Sequence, residues 1–202
     1  MRGAFIILFL LSLLLSSCNQ KSFDSKKELL GYIKNPENGY FQTKKVNGLQ
    51  ISLTYRPTDL LVKQDLGTSA ISKKTIDSLR AKYNKYIYFN LRMSKNGQEL
   101  LNSTSGSNGE FGAMVNQLVF DMGEKVHLFS DQKDTIELVD YIYPRMYGMS
   151  QSTSLMLIYP RIANYSENLT LSIEDIGFNT GEVKFKIKSN KIINQPQLSF
   201  EH

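Results

Sequence analysis

The sequence predicts a mainly β chain, α+β by content: an antiparallel, immunoglobulin-like β-sandwich with a few short helices in its N-terminal half. Three observations carry this expectation. From Lys85 onward, apolar stretches of strand length recur between short turns rich in Gly, Asn and Asp. That is the rhythm of hairpins, not of βαβ units. Ile51, Leu53 and Tyr55 alternate with Ser52 and Thr54, which marks a strand with one buried face. Clear helical spacing of apolar residues is confined to the segments before Lys85.

In chain order, Ser25-Lys26-Lys27-Glu28 reads as a capping box that opens a helix with Leu29, Leu30 and Ile33 on one face. Asn35-Pro36 stops it and Asn38-Gly39 turns the chain. Tyr40 to Val46, Asn47-Gly48 and Leu49 to Tyr55 form a hairpin, since Asn-Gly supplies the two left-handed residues of a tight turn. A short helix is expected from Pro57 to Leu66, closed by Gly67, and a longer one from Ser72 to Tyr83 on Ile76, Leu79 and Tyr83. Lys85 to Ser94 is a strand, and Leu100 to Gly109 has the composition of a flexible loop. Glu110 to Met122 fits helix and strand equally. Val126 to Phe129 and Thr135 to Tyr143 make a second hairpin around Asp131 to Asp134. Leu155 to Tyr159, Leu169 to Ile173 and Glu182 to Ile187 complete the strands. No repeat or linker divides the chain, so residues 25–202 are expected to be one β-rich domain.

Composition narrows the function. The chain has 202 residues, 41% hydrophobic and 21% charged, with a net charge of +5. That is enough apolar material for a core and argues against disorder. The 24 bases are interspersed with 19 acids, so no nucleic-acid partner is expected. One cysteine excludes an internal disulfide framework and any multi-Cys zinc site.

The first eighteen residues read as an address. Arg2 precedes the apolar run Ala4 to Leu15, which is too short to span a hydrocarbon layer about 30 Å thick. Leu15-Ser16-Ser17-Cys18 follows, and it resembles the lipobox of bacterial lipoproteins. The resemblance implies a signal peptide over residues 1–17, diacylglycerol on the Cys18 thiol and acylation of the new amino terminus. Several acyl chains, at about 0.8 kcal/mol per buried methylene, hold far more firmly than one. Residues 18–24 are then the lipidated cysteine and a polar tether, reaching roughly 20 Å at ~3.3–3.6 Å per residue.

Little else in the chain carries chemistry. Gly148-Met149-Ser150-Gln151-Ser152 begins like a nucleophile elbow, but Ser152 stands where the second glycine belongs. Gly106 to Gly112 lacks the lysine of a phosphate loop. Asp121, Glu124 and His127 have no ligand-grade spacing, so solvated charges in a turn are the expectation and no metal or cofactor is implied. Lys184, Lys186 and Lys188 share one strand face, as lysines protecting an edge strand do. The tyrosines at 83, 86, 88, 141, 143 and 147 fit cross-strand packing, or a surface for sugar or peptide. No catalytic residue is nominated.

YIKNPENGY, LTYRPTDLLV and LSIEDIGFNTGEVKFKI give the chain as a whole a resemblance to small lipoproteins of Bacteroidetes-type bacteria that have no known activity. Asp77-Ser78-Leu79 and Asp134-Thr135-Ile136 match the D-[ST]-aliphatic pattern of that group, which implies O-glycosylation at Ser78 and Thr135. Surface-exposed lipoproteins of this resemblance carry acidic residues after the cysteine, whereas Asn19-Gln20-Lys21-Ser22 has none. The resemblance therefore points to a periplasm-facing anchor in the outer membrane. The expected function is a non-catalytic binding or structural module whose partner is another envelope protein or a glycan. A cell-wall or glycan hydrolase and a carrier of a lipid-like ligand are the alternatives.

Overall fold

The computed structural model describes residues 20–67, 72–104, 106, 108–146 and 149–200. The predicted signal peptide, Cys18 and Tyr147 lie outside the described residues. The fold is α+β, built of mostly antiparallel sheets with several short helices.

β1 (Ser22–Phe23) leads into α1 (Lys26–Lys34), whose cap Ser25 accepts a hydrogen bond from the Glu28 amide at 3.2 Å. β2 (Phe41–Val46) and β3 (Leu49–Arg56) form the expected hairpin, with Asn47 and Gly48 at φ of 48° and 74°. α2 (Thr58–Leu66) and α3 (Lys73–Tyr83) follow, then β4 (Tyr86–Lys95). Next come α4 (Leu100–Ser103) and α5 (Asn108–Asn116), and then β5 (Val126–Ser130), β6 (Thr135–Ile136) and β7 (Asp140–Ile142). β8 (Thr153–Pro160), β9 (Asn168–Ile173), β10 (Val183–Lys188), α6 (Ser189–Ile193) and β11 (Gln197–Leu198) end the chain.

One sheet has the order β2-β3-β4-β8-β7 and a second has β10-β9-β5-β6, both antiparallel. β1 and β11 form a small parallel pair. The apolar faces of both large sheets feed one core cluster, in which Phe89, Tyr159 and Phe185 are the largest fully buried side chains. A line of ring contacts crosses the five-stranded sheet: Tyr40 to Tyr55 at 6.0 Å, Tyr55 to Phe89 at 5.8 Å and Phe89 to Tyr159 at 6.3 Å. The last two are edge-to-face, the arrangement that the ring quadrupole favours. α2 and α3 pack on each other through Val62, Leu66 and Ile76 as a separate small cluster.

Four sequence expectations are corrected. Helices are not confined to the N-terminal half: α5 and α6 lie beyond it, and the stretch read as a flexible loop contains α4 and the start of α5. Glycines weaken helix propensity there, but burial of Leu100, Met114 and Leu118 in the core overrides it. The stretch from Thr135 to Tyr143 is not one strand. β6 pairs with β5, and the chain then crosses to the other sheet, where β7 pairs with β8. Ser22 and Phe23, expected in the tether, are strand residues pinned to Gln197 and Leu198.

Burial dominates the buried tyrosines. Removal from water pushes the Tyr40 and Tyr88 phenols up to about 12 from an ordinary 10.0, and those of Tyr55 and Tyr159 higher still. Because folding favours the protonated phenol, its stabilisation is complete below pH 10 and is lost as pH climbs through the folded values. Titration followed at the phenolate absorbance should therefore leave these four of the eleven tyrosines un-ionised at about pH 11. They should ionise only together with loss of tertiary structure. Normal titration of all eleven in a folded chain would contradict the packing.

Candidate functional site

The two sheets each have an outer face, and a groove crosses that of the five-stranded sheet. Pairing register lines up Arg56, Tyr88, Ile158 and Asp140 in one row across β3, β4, β8 and β7, and Thr54, Asn90, Met156 and Ile142 in the next. α2 and α3 form one wall of the groove and the β7 edge forms the other. The space is about 500 Å³.

The floor is aromatic and aliphatic. Tyr88 is buried at 5% exposure, with Tyr83 and Tyr86 half-buried beside it at ring distances of 6.2 and 6.4 Å. Met156 and Ile158 continue the floor, and Leu61 closes it beneath α2. On the far rim Val139 and Ile142 are 53% and 46% exposed. Asp140 stands on the far rim with them, and Asp65 and Lys82 on the near one. Tyr83 donates to Asp65 Oδ2 at 2.8 Å, and Lys82 reaches the same oxygen at 3.2 Å while its ammonium lies 4.8 Å from the Tyr83 ring centre. The Tyr83 hydroxyl, and Lys82 after it, hold the Asp65 carboxyl below the usual carboxylate range. Asp65 is thus an ionised rim group. The arrangement suits an apolar anchor inserted between charged edges.

The other sequence candidates disperse. Ser78 is exposed on α3 and Thr135 is exposed on β6. His127 faces Glu174 at 3.0 Å, whereas Asp121 accepts from Asn116 and Asp131 from the Asn168 amide. Among the described residues no three His, Cys, Asp or Glu side chains converge as metal ligands. Ser150 and Ser152 form a turn, Ser150 Oγ donating to the Ser152 carbonyl at 2.9 Å, and β8 rather than a helix follows. Lys184, Lys186 and Lys188 project from edge strand β10 while Val183, Phe185 and Ile187 are buried. Among the described residues no helix is long and apolar enough to cross a membrane.

The tyrosine run was visible in sequence, but its partners were not. α2, α3, β7 and β8 meet there only through the tertiary fold. Nothing local marks the rim either: Val139 and Ile142 read as ordinary strand apolars, and their exposure appears only in the fold.

No family model matches the chain, and no curated protein matches it. Among solved structures it is similar to a DUF4426 family protein from Pseudomonas aeruginosa, at a TM-score of 0.37 and 9% identity, over 74% of this chain and 94% of that one.

Proposed function

We propose that the chain is a non-catalytic binding module of the bacterial envelope, a lipoprotein held by acyl chains on Cys18 at the periplasmic side of the outer membrane. The groove between α2–α3 and β7 is its recognition surface, and its partner is another envelope protein. The observation that carries this reading is the makeup of the groove: an apolar, tyrosine-rich centre with Asp65, Lys82 and Asp140 at its rim. Aromatic anchors in a desolvated centre with charges outside are the anatomy of protein interfaces. A glycan would ask for more polar groups at the floor than Tyr86, Met156 and Ile158 offer.

The strand orders support an immunoglobulin-like sandwich as the frame. With β2 set aside as an added edge strand, β3 to β10 taken as A to G run A-B-E-D and G-F-C-C′. The crossing from β6 to β7 is then the C′-to-D change of sheet. Exposure of Ser78 and Thr135 supports both as O-glycosylation sites.

The test is photo-crosslinking in intact cells, from Ile142 in the groove and from Lys186 on the far sheet as control. Cross-links to one protein from Ile142 alone are expected. Ile142→Lys and Tyr86→Ala should each weaken retention of that protein more than about tenfold, as loss of a hot-spot residue worth about 2 kcal/mol does. Equal cross-linking from both positions, or a glycan in place of a protein, overturns the partner assignment. Turnover that vanishes on replacing one acidic or serine residue overturns the non-catalytic reading.

A further inference from the structure

Gln20, two residues after Cys18, is already held by the fold. Its side-chain amide donates to the Gln195 carbonyl at 2.8 Å, and the next carbonyl, of Lys21, accepts the Gln197 amide at 2.8 Å. Two peptide links span at most about 7 Å, so the surface around Gln20 lies close to whatever Cys18 is attached to.

That surface lies between α1 and α6. On the α1 side the Lys21 ammonium sits 4.6 Å from the centre of the half-buried Tyr32 ring, which lies 5.8 Å from that of Tyr40. On the α6 side the Lys191 ammonium is 5.4 Å from the Tyr40 ring centre. Ile193 stands 56% exposed two residues before Gln195, although its neighbour Ile192 is buried. Register shows which end of the fold this is. β3 ends at Arg56 and β8 at Pro160 where β4 begins at Tyr86. Gln195 joins this end through the Tyr55 hydroxyl and the Thr58 amide. In the other sheet β10 ends here at Lys188, opposite Asn168, and runs on into α6. The far end of that sheet is where Val126 pairs with Ile173, and Phe120, 71% exposed, lies in the helical segment leading there.

An exposed isoleucine, a half-buried tyrosine and lysines laid along aromatic rings are side chains suited to a membrane interface, where apolar bodies sink and charged tips stay in water. Charge does not do the seating: at this end Lys21, Lys188 and Lys191 are matched by Asp24, Glu37 and Glu167. Nor does Ile193 alone, since even a single myristoyl chain binds a membrane only marginally. The short tether is what brings this face to lipid.

We propose that the head is seated end-on on the membrane that anchors it, with Ile193 and Tyr32 at headgroup level and Phe120 at the end turned away. The seating rests on the Cys18 reading and names the face that the anchor holds against the lipid. The tyrosine groove takes no part in it.

Ile193→Cys and Phe120→Cys, both at exposed positions, would each be made in the full chain, where acylation of Cys18 leaves the new thiol free for a polarity-sensitive dye. The labelled proteins would be placed in phosphatidylcholine vesicles carrying lipids with a quencher high on the acyl chain. The dye at 193 should lose at least about half of its emission, as a group at the headgroup–acyl boundary does, and the dye at 120 almost none. The same loss is expected in vesicles containing phosphatidylglycerol, because the local charges balance. A Gly-Ser segment of about a dozen residues after Asn19 should lower the quenching at 193 to the level at 120. Flotation with the vesicles reads the anchor separately. A wild type that floats while both dyes are quenched equally, or not at all, overturns the seating alone. Quenching confined to phosphatidylglycerol vesicles, or kept in full after the insertion, overturns the tether as its cause. A wild type that does not float and takes up dye at Cys18 overturns the anchor and the seating together.

Discussion

Asp59→Ala should destabilise the domain by about 3 kcal/mol, the low end of what losing one partner of a buried ion pair costs. Asp59 is 3% exposed and accepts both Arg80 Nε at 2.8 Å and Arg80 Nη2 at 2.7 Å. It also accepts the Leu198 amide at 2.8 Å, and Arg80 Nη2 donates to the Leu198 carbonyl at 3.1 Å. One carboxylate thus joins α2, α3 and β11. Removing it strands a backbone N–H and a guanidinium, and Arg80 at 29% exposure recovers part of its solvation, hence the low end of the range. For a domain of this size the melting temperature should fall by roughly 6–12 °C. The loss should also be local. β11 holds β1 through the Gln197 amide on the Lys21 carbonyl and the Ser199 amide on the Phe23 carbonyl, so hydrogen exchange of these amides should accelerate first. Asp59→Leu with Arg80→Met should recover much of the stability, because an apolar pair leaves no charge behind. An Asp59→Ala melt within 2 °C of the parent, roughly the effect of less than 1 kcal/mol, would show that the network is slack.

The sequence made legible whatever is decided within a few residues. Ser25 and Ser72 cap their helices through amides three residues on, as side-chain capping requires. Asn47-Gly48 closes its hairpin in left-handed backbone, and Ile51, Leu53 and Tyr55 face the core. What stayed hidden depends on partners far away in the chain. β1 and β11 are two residues each, paired across some 175 positions, and nothing in Ser22-Phe23 or Gln197-Leu198 signals it. Gln195 is a polar residue in a C-terminal loop by sequence, yet it accepts from Tyr55 Oη at 2.9 Å and the Thr58 amide at 2.8 Å. The division of Thr135–Tyr143 between two sheets follows from where β8 runs, which no local pattern encodes. The candidate groove belongs to the same class. Its side chains alternate in plain view along β4, β7 and β8, but only the arrival of α2 and α3 turns an outer sheet face into a cleft.

Cys18→Ala should abolish lipidation completely, because the thioether has no other thiol in the chain to form on. Palmitate label should enter the wild type and be absent from the variant. The wild type's mature amino terminus should be Cys18, and the variant should retain residues 1–17 or start elsewhere. A second variant, with residues 1–18 replaced by an ordinary cleavable secretory signal, should move to the aqueous phase on detergent partitioning. The pinned start of the fold sharpens the expectation. Gln20 donates its side-chain amide to the Gln195 carbonyl at 2.8 Å, and β1 begins at Ser22, so the order reaches to within two residues of Cys18. The free reach is then well under the roughly 20 Å of an extended six-residue tether. An anchored head would sit against the lipid surface and move with it, unlike a domain on a long leash. Inserting a flexible Gly-Ser segment after Asn19 should leave lipidation unchanged and raise the rotational freedom of a spin label placed on the head. Palmitate in the Cys18→Ala chain, or a wild-type protein that is soluble and begins at another residue, would refute the anchor. A spin label equally mobile with and without the insertion would refute the short tether alone.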